Sequence, residues 1–166
     1  MPHKSSLTVL DLSNCSGFDV WANEFEDIIT NFVELTEANF SNTSLSSQNI
    51  SFLCNHLTIK IEKLSLGNLN LDITDDNIKS LVSRCKKIKE LDLHRTIISC
   101  HGIQSIIENL SNTLTKLTLA GFDQDWWGSI FTHCKGLQSM PKLSHLWLYV
   151  YPEDVWVSIA DCYIVL

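Results

Sequence analysis

Between Ile88 and Cys100 the chain reads IKELDLHRTIISC, with aliphatic residues at Ile88, Leu91 and Leu93, a threonine at Thr96 and an isoleucine at Ile98. Leu91 and Leu93 are two positions apart, so in an extended strand they share a face, while Asp92 points the other way. Ile88, three residues upstream of the pair, adds a third apolar anchor. The same spacing recurs at Leu7-Leu10-Leu12, Leu35-Ala38-Phe40, Ile61-Leu64-Leu66, Leu114-Leu117-Leu119 and Leu143-Leu146-Leu148. The six phrases start at residues 7, 35, 61, 88, 114 and 143, so successive starts lie 28, 26, 27, 26 and 29 residues apart.

A near-constant period of this length is the signature of stacked units that cannot bury their apolar faces alone, and the phrase L-x-x-L-x-L-x-x-[NCT]-x-L is that of a leucine-rich repeat. The spacing predicts an α/β fold, a leucine-rich-repeat solenoid of about six strand-helix repeats with a parallel sheet on its concave face. Residues 1–166 then form a single domain.

Composition fits this reading. The 166 residues are 45% hydrophobic and 19% charged, ordinary for a globular chain. No run approaches the roughly 18 apolar residues of a membrane span, and the opening MPHKSSLTVL lacks the apolar core of a secretion signal, so a cytoplasmic or nuclear protein with no membrane partner is expected. A net charge of -7 argues against nucleic acid, whose phosphates need clustered cations. The one basic cluster, Arg84, Lys86, Lys87 and Lys89, reads as a solvated helix end.

The six cysteines fall one to a repeat and are expected to act as small buried hydrophobes, without disulfides. Cys100-His101 and His133-Cys134 are adjacent pairs without zinc-ligand spacing, so no metal and no cofactor is expected. The sequons at Asn14, Asn39, Asn42, Asn49 and Asn109 are expected to stay unused.

Along the chain, each strand should lead through a turn into a helix. Val20, Trp21, Phe25, Ile28, Ile29 and Phe32 recur at helical spacing, as do Leu45, Ile50, Leu53, Cys54 and Leu57. Thr74 with Asp75 and Asp76 supplies an N-cap and acids for the third helix, which runs through Ile78, Leu81, Val82 and Cys85. The fourth carries Ile103, Ile106, Ile107 and Leu110, the fifth Ile130, Phe131, Cys134 and Leu137, and a sixth is expected over Val155 to Ile164. The ninth phrase position is Cys15, Thr43, Leu69, Thr96, Phe122 and Tyr151, so a polar ladder to the turn backbone is available at three repeats at most. Trp126 and Trp127, in the insertion Phe122 to Gly128, either cover the hydrophobic column or form an exposed contact site.

Ile73-Thr74-Asp75, then Ile78, Leu81 and Cys85, then Ile88, Leu91, Asp92 and Leu93 resemble the I-T-D-led unit of the cysteine-containing leucine-rich repeats in F-box proteins. The stretches Ser6 to Phe18, Ile78 to Leu93 and Met140 to Asp154 carry the same likeness. The resemblance implies substrate recognition in an SCF-type cullin-RING ubiquitin ligase, with a protein or peptide ligand on the concave face. It also implies ligase subunits reached through an F-box or an accessory subunit. Only six residues precede Leu7, so the F-box is expected to be absent. The alternative is a leucine-rich-repeat scaffold or assembly factor with no ligase role.

On the concave face, the position between the second and third leucines gives Asp11, Asn39, Ser65, Asp92, Thr118 and Trp147, and the position before the second leucine gives Val9, Glu37, Lys63, Glu90, Lys116 and His145. The next exposed position gives Ser13, Ser41, Gly67, His94, Ala120 and Tyr149. Large amphipathic and charged groups gather toward one end, and the candidate partner-binding residues are Asp92, His94, Arg95, Lys116, His145, Trp147 and Tyr149. For Trp147 and Tyr149 a second reading stands, that the chain end from Tyr163 to Leu166 covers them as a cap. Asp92 and His94 beside Ser99 or Cys100 lack a nucleophile elbow, an HExxH pair or a phosphate loop, so no enzyme is expected.

Overall fold

The structure, a computed structural model, describes residues 6–16, 22–69, 73–96, 98–121, 136–137, 139–150 and 162–165. Seven strands form one sheet in chain order: β1 (Val9–Asp11), β2 (Glu37–Asn39), β3 (Lys63–Ser65), β4 (Glu90–Leu93), β5 (Lys116–Gly121), β6 (His145–Val150) and β7 (Cys162–Val165). The first six pair in parallel and β7 pairs antiparallel with β6. Among the described residues, four helices, α1 (Ala22–Asn31), α2 (Ser47–His56), α3 (Asp75–Arg84) and α4 (Cys100–Leu110), connect successive strands from β1 to β5. The fold is therefore α/β.

The register is the one the phrase spacing demands. Leu10, Ala38, Leu64, Leu91, Leu117 and Leu146 are direct partners across the six parallel strands. From Ala38 onward this column is buried, and so are Leu35, Ile61, Ile88, Leu114 and Leu143 from the first phrase position. Each fully buried Leu or Ile contributes about 1.5–3 kcal/mol, and only stacking makes that burial possible. At the N-terminal end the column thins, because among the described residues β1 pairs with β2 alone. Leu10 and Leu12 are half-buried there, and Leu7 and Val9 are exposed.

The first four strands end in the same turn. Asn14, Asn42, Asn68 and Arg95 stand at the eighth phrase position and take left-handed backbone, with φ of 61°, 58°, 54° and 53°. Asparagine tolerates this conformation better than most residues because its side chain is short and polar, and a longer arginine takes it at greater backbone cost. The next residue closes the turn where it can. Thr43 donates its hydroxyl to the Phe40 carbonyl at 2.6 Å, and Thr96 donates to the Leu93 carbonyl at 2.7 Å, both within the buried core. Of the three polar ninth positions, Thr43 and Thr96 thus bond the turn through their side chains.

The helices begin where their caps dictate. Ser46 and Ser99 cap α2 and α4, and Thr74 forms a reciprocal capping box with Asn77 on α3, as the Thr74-Asp75-Asp76 run predicts. Asp75 also reaches the next repeat, accepting from the Ser99 backbone at 2.9 Å and from the Ser99 hydroxyl. Gly102 makes room for that contact, since a Cβ there would come 2.6 Å from Asp75 Oδ1.

Cys54 and Cys85 are fully buried thiols, and Cys85 lies 3.7 Å from the Thr58 carbonyl of the preceding repeat. Burial pushes the Cys54 thiol up to about 12 and raises Cys85 in the same direction. Cys15 is exposed and Cys100 half-buried, so uniform burial does not hold, because these two sit at a turn and a helix start rather than on a packed face.

The expected sixth helix is corrected at its end. Cys162–Val165 is strand β7, pairing Leu146 with Ile164 and Trp147 with Tyr163. Tyr163, Ile164 and Val165 are strand-favouring residues, and their pairing covers a sheet edge that would otherwise present unpaired backbone. The helical readings at Val20, Trp21, 130–134 and 155–161, and the two readings of Trp126 and Trp127, lie outside the described residues. Among the described residues, no helix is long and apolar enough to cross a membrane.

Candidate functional site

The outward positions of β1 to β6 line an open groove of about 420 Å³ across the sheet face. Its walls come from two columns two positions apart in the pleat, on either side of the buried column. Strand alternation sets both: whatever flanks a buried leucine must face outward.

One column is an alternating charge ladder. Glu37, Lys63, Glu90, Lys116 and His145 are register partners on consecutive strands. Lys63 Nζ lies 3.0 Å from Glu37, and Lys116 Nζ lies 3.2 Å from Glu90. The Glu37 hydrogen bond, then the charges of Glu37 and Glu90, hold Lys63 above the usual lysine range. A second cross-repeat set flanks the sheet, with Lys60 on Glu34 and Lys89 on Glu62, both at 2.6 Å.

The other column is a hydrogen-bonded polar chain. Asp11, Asn39 and Asp92 each accept, through a side-chain oxygen, the backbone N–H two residues on, at 2.8, 3.0 and 3.0 Å. Bonds to the Ser13 side chain and backbone hold Asp11 below the usual carboxylate range. Ser41 and Ser65 share a hydroxyl bond of 2.5 Å, and Ser65 donates onward to Asp92 Oδ2 at 2.8 Å. His94 Nδ1 lies 3.0 Å from each Asp92 oxygen. The imidazole occupies space that glycine alone leaves open, for a Cβ on Gly67 would fall 1.9 Å from His94 Nδ1.

Of the seven candidate residues, Asp92, Lys116 and Trp147 line the groove itself. His145 stacks on Trp147 with ring centroids 5.4 Å apart, and its Nδ1 lies 2.9 Å from the Ser144 hydroxyl. His94 joins through Asp92, and Arg95 occupies the strained turn beside it. Tyr149 stands on β6 opposite Ala120, and its side chain lies outside the described residues. Trp147 both lines the groove and stands opposite Tyr163 of β7, so the contact-site and chain-end readings meet at one residue.

Asp11, Glu37, Lys63, Ser65 and Glu90 line the same groove, and selection of large side chains at one end passed over them. The alternating signs down the register column were their signal. Gly67 had none within its own repeat.

The basic cluster disperses into separate contacts. Arg84 donates to the Cys54 carbonyl at 3.4 Å, Lys86 bonds Asn109, and Lys89 pairs with Glu62. Among the described residues no group of three or more His, Cys, Asp or Glu side chains is placed to hold a metal.

Neither a protein-family model nor a curated protein matches the chain. Among solved structures, one titled "Leiomodin-1 Actin-Binding Site 2 (ABS2)" is similar, with a TM-score of 0.56 and 21% identity over 82% of this chain and 80% of that one. The likeness is one of fold.

Proposed function

We propose that the chain is a leucine-rich-repeat solenoid that works as a protein-interaction module, taking a protein or peptide segment on its concave face. The observation that carries this is the groove: six strands contribute to one open lining of about 420 Å³, with pre-bonded polar groups along it and an aromatic stack at one end. Side chains already locked by neighbours lose little freedom on binding, which favours recognition. The order Ser65, Asp92, His94 favours binding over catalysis, because the carboxylate rather than the imidazole accepts the serine proton.

Two forms of this function are open to test. Substrate recognition in a cullin-RING ubiquitin ligase rests on the F-box-type repeat phrase from Ile73 to Leu93. A scaffold without a ligase role is favoured by the actin-binding title of the structural neighbour. Affinity capture with the wild-type chain and with a Trp147→Ala, His94→Ala double variant separates them. A partner lost in a variant that still melts cooperatively supports groove docking. Cullin and adaptor subunits among the captured proteins, with ubiquitylation of the lost partner, support the ligase form; a groove-dependent partner without them supports the scaffold. A partner list unchanged by the double variant overturns groove docking.

A further inference from the structure

Resting on the docking reading, we infer that the groove accepts an extended cationic segment of a protein partner, crossing the strands with a basic side chain at every third residue. The charge of the lining points this way. Asp11, Glu37, Glu90 and Asp92 bring four carboxylates to it, against the ammonium groups of Lys63 and Lys116 alone. Both lysines are already committed, to Glu37 and Glu90. A carboxylate has about four acceptor sites, so one ammonium contact leaves each glutamate able to take a second donor. Their side chains are open to one, being 42% and 35% exposed.

The field inside the groove agrees. Glu37, Glu90 and Glu62 together favour the charged form of Lys63, so a positive charge is stabilised near the middle of the face. Beyond the ladder, Trp147, stacked with His145, adds an aromatic side chain to the lining. The chain's net charge of -7 adds long-range attraction for a basic segment and repels nucleic acid and anionic lipid.

Spacing sets the repeat of the partner. Glu37 and Glu90 stand on β2 and β4, two strands apart in the same column. Neighbouring strands are about 4.8 Å apart, so the two carboxylates recur at roughly 9.6 Å. A polyproline II segment rises about 3.1 Å per residue, so every third side chain recurs at roughly 9.3 Å. A fully extended strand places same-face residues about 6.8 Å apart and falls out of step.

Fluorescence anisotropy with the full chain and three labelled peptides tests this: acetyl-RPARPARPA-amide, its glutamate counterpart EPAEPAEPA, and an alternating RARARA control. The expected result is saturable binding of the first at low salt, at least five-fold weaker binding of the control, and none of the glutamate peptide. Binding of the first should weaken at least ten-fold in Glu37→Gln/Glu90→Gln, with Asp11→Asn as a second variant that leaves the lysine pairs intact. Equal or tighter binding of the glutamate peptide overturns the cationic inference while groove docking stands. An affinity unmoved by both variants places the peptide off the groove and overturns it as well. Should no peptide bind, the inference falls, and the capture experiment with Trp147→Ala, His94→Ala decides groove docking separately.

Discussion

Replacing Gly67 with alanine tests the arrangement on which the candidate site depends. The new Cβ would lie 1.9 Å from His94 Nδ1 and 2.0 Å from Cε1, so the imidazole must leave its place on Asp92. Its two 3.0 Å hydrogen bonds to the carboxylate then break, between side chains 30% and 35% exposed. Solvent screening reduces a charge-assisted bond of this kind to about 1 kcal/mol. Against that cost, alanine restricts the unfolded chain and stabilises by about 0.4–1 kcal/mol where the backbone allows it, as it does at Gly67, whose φ is not left-handed. The two effects partly offset, so Gly67→Ala alone should destabilise by about 0.5 kcal/mol. In a His94→Ala background the obstacle is gone, and the same substitution should stabilise by about 0.5 kcal/mol. Urea melts of the four proteins in this cycle should therefore give a coupling energy of about 1 kcal/mol. An identical effect of Gly67→Ala in both backgrounds would refute the placement of His94 over Gly67.

Other expectations concern the turns, the thiols and the ion pairs. Arg95→Asn should raise the melting temperature by roughly 2 °C, since about 0.5–1 kcal/mol of left-handed strain is relieved in a domain of this size; a lower melting temperature would mean that the arginine side chain contributes more than the strain costs. Alkylation at pH 8 should modify Cys15 at once and spare Cys54 until the chain unfolds, because a thiol near 12 is ionised in about one molecule in ten thousand. Stability should fall at both ends of the pH range. Glu62 is held below its usual 4.5, first by the Lys89 hydrogen bond, so its contribution is present above that value and lost as pH falls through the lowered one. Lys63 is held above 10.5, so its contribution is present below that value and lost as pH rises through the raised one. Both ends should flatten in high salt, which urea melts across pH at two ionic strengths will show.

The architecture was legible because a period of near-constant length fixes register without any knowledge of contacts. Placing Leu91 in the phrase also placed Asp92 outward and set Lys63 and Lys116 beside Glu90. What stayed hidden required comparison between repeats or a choice between periods. Gly67 matters only because His94 follows one repeat later, and a glycine in a turn looks unremarkable by itself. The left-handed turn was visible in principle as Asn14, Asn42 and Asn68 at one phrase position, which makes Arg95 the exception. The last strand was misread because Trp156, Ile159, Ala160 and Tyr163 match a helical period, and pairing with β6 decides Cys162–Val165 instead.

The division between columns explains how one scaffold can hold its shape while its face varies. Inward positions from Ala38 onward must stay apolar because they are buried in the stacked core, so truncation there leaves a cavity. Outward positions are constrained only by the next strand's side chain at the same register. The charge ladder meets that constraint with alternating signs, which stiffens the face. Binding to it is then an exchange of partners, in which an incoming cation shares a carboxylate that already has one. Exchange of this kind gives modest affinity and strong salt dependence. The exceptions to the ladder are therefore where selectivity should lie: Asp11 beyond one end, the fixed Asp92–His94 pair at the centre, and the Trp147–His145 stack at the other end. A partner that touches all three must span the whole sheet.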